Sequence, residues 1–140
     1  MSIEVVITEW ALDSYLNLKH QKVFGDAYYW GTVRPDVELL SLFPNDPKFG
    51  NSKFWGPATD KSGNAIPNGF KMKWRQVGPG RVQLRLCVAI TKAPADAAAR
   101  AYLCRAYVKS DDKVDKREAA KLKRHINLIH RGQYVFRGKL

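Results

Sequence analysis

The sequence predicts an α+β fold, with an N-terminal helical hairpin and a C-terminal helix packed on a small, mainly antiparallel twisted β-sheet. Three observations carry that prediction. Two helical stripes lie ahead of residue 42, three strands with strict two-residue alternation fill the stretch from Phe70 to Lys109, and a long amphipathic stripe follows from about Lys116 to Arg131.

Ile3 to Thr8 is a short β-branched run that reads as an edge strand. Thr8 caps a helix over about Glu9 to Phe24, where Leu12, Tyr15, Leu16 and Val23 form the apolar stripe and Gly25 ends it. A second helix starts at about Asp26, which is placed to cap, and resumes after Arg34-Pro35 through Val37, Leu39 and Leu40. Pro35 must kink or split it, because proline removes a backbone donor and crowds the preceding turn. The aromatics here, Tyr28, Tyr29 and Trp30, read as packing against the apolar side of the sheet.

Residues 42 to 69 hold four prolines and four glycines and read as one long loop, a candidate rim for a binding cleft. Within it Lys53 to Gly56 pairs briefly with the sheet, and Asp60 to Asn64 makes a turn. Then come the strands. Phe70, Met72 and Trp74 alternate with Lys71, Lys73 and Arg75. After a hairpin turn at Gly78-Pro79-Gly80, Val82, Leu84, Leu86, Val88 and Ile90 alternate with Arg81, Gln83 and Arg85. Thr91 to Arg100, rich in alanine, reads as a mobile connection. In the third strand Arg105, Tyr107 and Lys109 fall on one side, with Leu103 an exception there, and Tyr102, Cys104, Ala106 and Val108 opposite. In register, the polar sides make one surface of Lys, Arg and Tyr with no carboxylate.

Asp115 and Glu118 have capping-box spacing at the start of the last helix, whose stripe is Ala119, Leu122, Ile126 and Ile129 and whose solvent side is basic. Gly132 ends it, and residues 132 to 140 form a basic tail, either a final strand or an arm that orders on binding.

At 140 residues the chain reads as a single domain over 1–140. Cys87 and Cys104 are not in CxxC or metal-ligand spacing; a cross-strand bridge is open to them, and buried free thiols in a reducing cytosol are the expectation. No cofactor and no metal is called for. No apolar run reaches the length of a membrane span, so a cytoplasmic chain without a membrane partner is expected.

The formal charge of +11 is unevenly placed: seven acids and three bases in residues 1–47 leave −4, and twenty-one bases and six acids in residues 48–140 leave +15. Cations recurring with strand periodicity point to a polyanion, since each neutralised phosphate releases counterions. Serines and acids lack a histidine partner in any hydrolase motif, and no glycine-rich phosphate loop is present. His20 sits near the end of the first helix, where the dipole favours it. His125 and His130 are five apart, so they share no face, and both read as surface positions.

The run Arg105-Ala106-Tyr107-Val108-Lys109 followed by Lys113-Val114-Asp115-Lys116-Arg117-Glu118-Ala119 resembles the C-terminal signature of the RelE/HigB toxin superfamily. Phe70 to Arg75 and Leu84 to Val88 stand where that family places its earlier strands. The resemblance implies a metal-independent RNA endonuclease toxin that cleaves messenger RNA, commonly on the ribosome, by attack of the 2′-hydroxyl on the scissile phosphate, and that is held in check by a small antitoxin protein. It implies Lys71, Lys73 and Arg85 as site positions. Arg85 suits the charge developing on phosphorus, and crowding among like charges or partial burial makes Lys71 or Lys73 a proton acceptor. Tyr107, Tyr134 and His130 are the further proton carriers to weigh. Arg75, Arg81, Arg105, Lys109, His130 and Arg131 are the expected nucleic-acid contacts. The chain departs from the family in offering neither Tyr nor His at the start of the last helix, and in its long Pro/Gly loop. Two other readings share the fold: a non-catalytic nucleic-acid-binding module with Trp55 or Tyr107 stacking on a base, and a toxin relative that blocks a protein such as a topoisomerase through Tyr28 and Tyr29.

Overall fold

The computed structural model describes residues 2–140 as an α+β chain with one open, six-stranded sheet in the order β2-β3-β4-β5-β1-β6. The strands are β1 (Val5–Thr8), β2 (Trp55–Thr59), β3 (Ala65–Val77), β4 (Val82–Thr91), β5 (Arg100–Lys109) and β6 (Phe136–Lys139). Every pairing is antiparallel except that of β1 with β5.

The expected edge strand is interior. β1 lies between β5 and β6, and its two fully buried valines face opposite ways, Val5 into one core and Val6 into the other. A strand covered on both faces reads as a continuous apolar run, which is why Val5-Val6-Ile7 carries no alternation. The tail resolves as β6, paired to β1.

Thr8 caps α1 (Glu9–His20), its Oγ1 accepting from the Ala11 amide at 3.3 Å and donating to the Leu103 carbonyl at 2.6 Å. The helix ends four residues short of the expected Phe24. Lys22 takes the left-handed conformation at φ 58°, and the Lys22 and Val23 amides donate to the Lys19 and Leu18 carbonyls, so a Schellman turn closes without glycine. Its buried side chains are Ala11, Ser14 and Leu18, whereas Leu16, expected inside, is half exposed.

Gly25, not Asp26, is the N-cap of α2 (Asp26–Tyr28), which runs through a π-helical turn at Tyr29–Val33 into α3 (Arg34–Glu38) and a 3₁₀ turn at Leu39–Leu42. Pro35, at the second position of α3, directly follows the π-helical turn, so the segment changes its winding at the proline instead of splitting there. Asp36 ties α3 to β3 by accepting from Trp74 Nε1 at 2.9 Å.

The 42–69 stretch is not one loop. A 3₁₀ turn at Pro47–Gly50 precedes β2, which pairs with β3, and β3 itself begins at Ala65, ahead of the first alternating residue. The turn at Asp60–Asn64 forms, with Asp60 Oδ1 accepting from the Ser62 and Asn64 amides. The Thr91–Arg100 connection is tied down too: Asp96 is buried, accepts from the Ala93 amide and the Tyr102 hydroxyl, and pairs with Arg100.

One core, against α1 and the 26–42 segment, gathers Phe70, Met72, Trp74, Leu84, Leu86, Val88 and Leu103. The other, against α4 (Asp112–His130), gathers Cys87, Ala89, Tyr102, Cys104, Tyr107, Ala119, Leu122, Ile126 and Ile129. β5 therefore corrects the expected alternation. A register shift opposite Cys87/Val88 puts Tyr102, Cys104, Arg105 and Tyr107 on the α4 side and sends Leu103 to the other. Both cysteines are free and buried.

Candidate functional site

Two neighbouring rows of cross-strand partners build the site. One is Lys71, Cys87 and Arg105; the next is Lys73, Arg85 and Tyr107. Adjacent strands lie about 4.8 Å apart, so each row spans about 10 Å on the α4 side of the sheet. Lys71, Lys73, Arg85, Arg105 and Tyr107 are thus brought together, and Lys109 joins them through its ion pair with Asp115 at 3.2 Å.

The surface is not free of carboxylates. α4 begins earlier than expected, at Asp112, and its N-cap is Asp111, which accepts from the Val114 amide at 3.0 Å. Asp115, expected to cap, is released from that duty and points at the cations. Its Oδ1 accepts from the Tyr107 hydroxyl at 2.6 Å, and its Oδ2 lies 3.5 Å from Lys71 Nζ. Burial opposes its ionisation, but Tyr107, Lys71 and Lys109 outweigh it and hold the carboxyl below the usual carboxylate range. Glu118, also buried, accepts from Arg105 Nε at 2.5 Å and pairs with Lys121 at 2.8 Å. Arg105 is therefore an internally neutralised cation.

Arg85 stands apart from these pairs. It is 4 % exposed, and its guanidinium makes one hydrogen bond, from Nη2 to Gln83 Oε1 at 2.8 Å, leaving Nε and Nη1 buried without a partner. Burial disfavours its charge and the nearby Asp115 favours it. Beside it Lys73 donates to the Ser52 carbonyl at 2.9 Å; burial, then Lys71, Arg85 and Arg75, press its ammonium below the ordinary lysine range. Tyr107 moves the other way, because burial, the Cys87 thiol and the bond to Asp115 all disfavour the phenolate.

Other expected residues fall elsewhere. Arg75 is exposed beside Lys73, whereas Arg81 turns to Gln76 Oε1 at 3.2 Å in the β3–β4 turn. His130, Arg131 and Tyr134 lie at the far end of α4, about 22 Å from Asp115 along the helix axis. There His130 Nε2 meets Thr91 Oγ1 at 2.7 Å, and Tyr134 stands edge-on to Tyr102. These three do not join the cluster. Trp55, expected to stack on a base, is buried against Phe70. His125 is not a surface residue: it is buried, stacked on Trp10 at 3.9 Å, and burial pushes its imidazole down to about 4.

Sequence reasoning missed Asp115 as a member of this cluster, and the available signal was local. Asp111 stands three residues before Val114 and can cap, which leaves Asp115 one turn further on, toward the sheet. A separate apolar cleft of about 300 Å³, lined by residues such as Tyr15, Tyr29, Val33, Trp74 and Leu140, lies on the other side of the sheet. Among the described residues, no three His, Cys, Asp or Glu side chains are grouped to hold a metal ion, and no helix is long and apolar enough to cross a membrane. Compared with known proteins, the chain matches no family model, no curated protein and no solved structure.

Proposed function

We propose that the chain is an RNA endonuclease of the RelE/HigB kind, binding the scissile phosphate over Lys71, Lys73 and Arg85, with an antitoxin protein as its natural partner. On this reading α1 and the 26–42 segment are the family's helical hairpin, and α4 is its closing helix. One observation carries the proposal: Arg85 keeps two guanidinium nitrogens buried and unpartnered beside a second cation. Leaving such donors unsatisfied costs about 1–3 kcal/mol or more, a cost that an anion brought against the guanidinium would offset.

The chemistry follows from the neighbours. Lys73, its proton loosened by burial and by three cations, accepts the 2′-hydroxyl proton. The 2′-oxygen then bonds to phosphorus as the bond to the 5′-oxygen breaks, giving a 2′,3′-cyclic phosphate and a 5′-hydroxyl. Arg85 takes up the charge that develops on the phosphoryl oxygens, and the Lys71 ammonium protonates the leaving oxygen. Tyr107, its proton engaged by Asp115, orients and does not transfer.

A binding module without cleavage is the second reading, favoured by that engaged hydroxyl and by the distance of Tyr134 and His130. Cleavage of RNA, free and on ribosomes, in the presence of a chelator separates the two. Lys73→Ala is expected to lower the cleavage rate 10²- to 10⁴-fold with little change in Kd, and Arg85→Met to weaken both. A parent protein that binds RNA and leaves it intact makes the chain a binding module, and one that does neither removes both readings.

A further inference from the structure

We infer that the outer face of α4 is a second RNA-docking surface, which holds a duplex by its phosphates while a single strand occupies the sheet cluster; this rests on the RNA reading above. At about 100° per residue, Lys113, Arg117, Arg124 and, just past the helix end, Arg131 fall within about 40° of one line, with Ala120 and Asn127 beside it. Lys116 and Lys123 lie to one side of that line. The direction opposite holds Leu122, Ile129 and Ile126, all buried. The six cations are exposed, and among the described residues none of them is within ion-pair distance of a carboxylate. Lys71, Lys109, Lys121 and Arg105, by contrast, are all paired.

Helix stability does not account for the stripe. Lys113, Lys116 and Arg117 occupy the N-terminal end, where the macrodipole favours acids, and like charges four apart repel. A folded protein partner is a poor match, because such interfaces centre on clusters of aromatic or large apolar anchors, and this face offers no aromatic and one large apolar side chain, the partly buried Leu128 at its margin. A single strand would call for aromatic stacking platforms, again absent from the face. What remains is a row of cations about 27 Å long, from Lys113 to Arg131, facing a partner whose charge repeats along its axis. Backbone contacts of this kind read duplex shape and carry no sequence preference.

The test compares a 20-base-pair RNA hairpin with a short single-stranded RNA, as a function of salt. Neutralising the row with Lys113→Gln, Arg117→Gln and Arg124→Gln together is expected to lower hairpin affinity at least tenfold and to flatten the log–log salt slope by about 2 to 3, leaving short-strand binding and cleavage intact. Ala120→Arg, which adds a cation in the middle of the face, is expected to raise hairpin affinity and steepen the slope by about 1, a gain that misfolding does not produce. Hairpin binding unchanged in both variants overturns the inference, as does a DNA duplex bound more tightly than RNA or a polyglutamate peptide that displaces the hairpin at matched charge. If the short strand still loses binding in Arg85→Met while the α4 variants do nothing, RNA binding at the sheet cluster stands and this surface does not. A parent that binds neither RNA removes both.

Discussion

His125 shows how a residue that looked like surface decoration becomes a determinant of stability. Buried on Trp10, with Nδ1 unpartnered and its imidazole pushed down to about 4, it stays neutral in the folded chain. Released in the unfolded chain it titrates near 6.5, so between those values the unfolded state binds more protons and stability falls as pH falls. The contribution is intact above about pH 6.5 and is lost by about pH 4, about 3 kcal/mol in all. His125→Phe keeps the stack and removes the titration; urea unfolding at pH 7 and pH 4.5 is expected to show a smaller difference in the variant than in the parent. An equal difference would mean that His125 is not neutral in the fold. The sequence could not give this environment, because residue 125 differs from its basic neighbours only by a helical angle, and its partner Trp10 comes from α1, 115 positions away.

At the scale of elements, periodicity was readable wherever one face alone was buried. β4 follows its alternation from Val82 to Ile90, and α4 follows its stripe from Ala119 to Ile129. Reading failed where the backbone departs from a single period. The register shift in β5 inverted the assignment of Tyr102 and Cys104, the doubly buried β1 passed for an edge, and Lys22 hid a helix end because glycine was the expected signal. The cation cluster was legible nonetheless, since Lys71, Lys73 and Arg85 lie on stretches that keep strict alternation. Two glycine-related substitutions test the local geometry. Lys22→Gly relieves a left-handed side chain and is expected to stabilise by about 1 kcal/mol. Gly78→Ala goes the other way: at φ 66° the added carbon would stand 1.9 Å from the Val23 carbonyl, so the β3–β4 turn must separate from the end of α1. Thermal unfolding of both variants against the parent checks the opposite signs, and a neutral Gly78→Ala would contradict this packing.

For the whole molecule, the two cores meet at the sheet, whose central strands are β4 and β5, with β1 beside β5 and buried on both faces. Hydrogen exchange is expected to rank accordingly: amides of β1 and β5 open only with global unfolding, while those of β2 and β6, at the sheet edges, exchange through local opening. β1 amides exchanging as fast as those of β2 would refute that order. The placement of β1 also bears on how the chain is made. Val6 finds its strand partners in Tyr102 and Lys139, both from the last third of the sequence. During synthesis β1 therefore has no strand to pair with until β5, about ninety residues further along the chain, has been made, and closure of the sheet is a late, slow event with an aggregation-prone valine pair waiting for it.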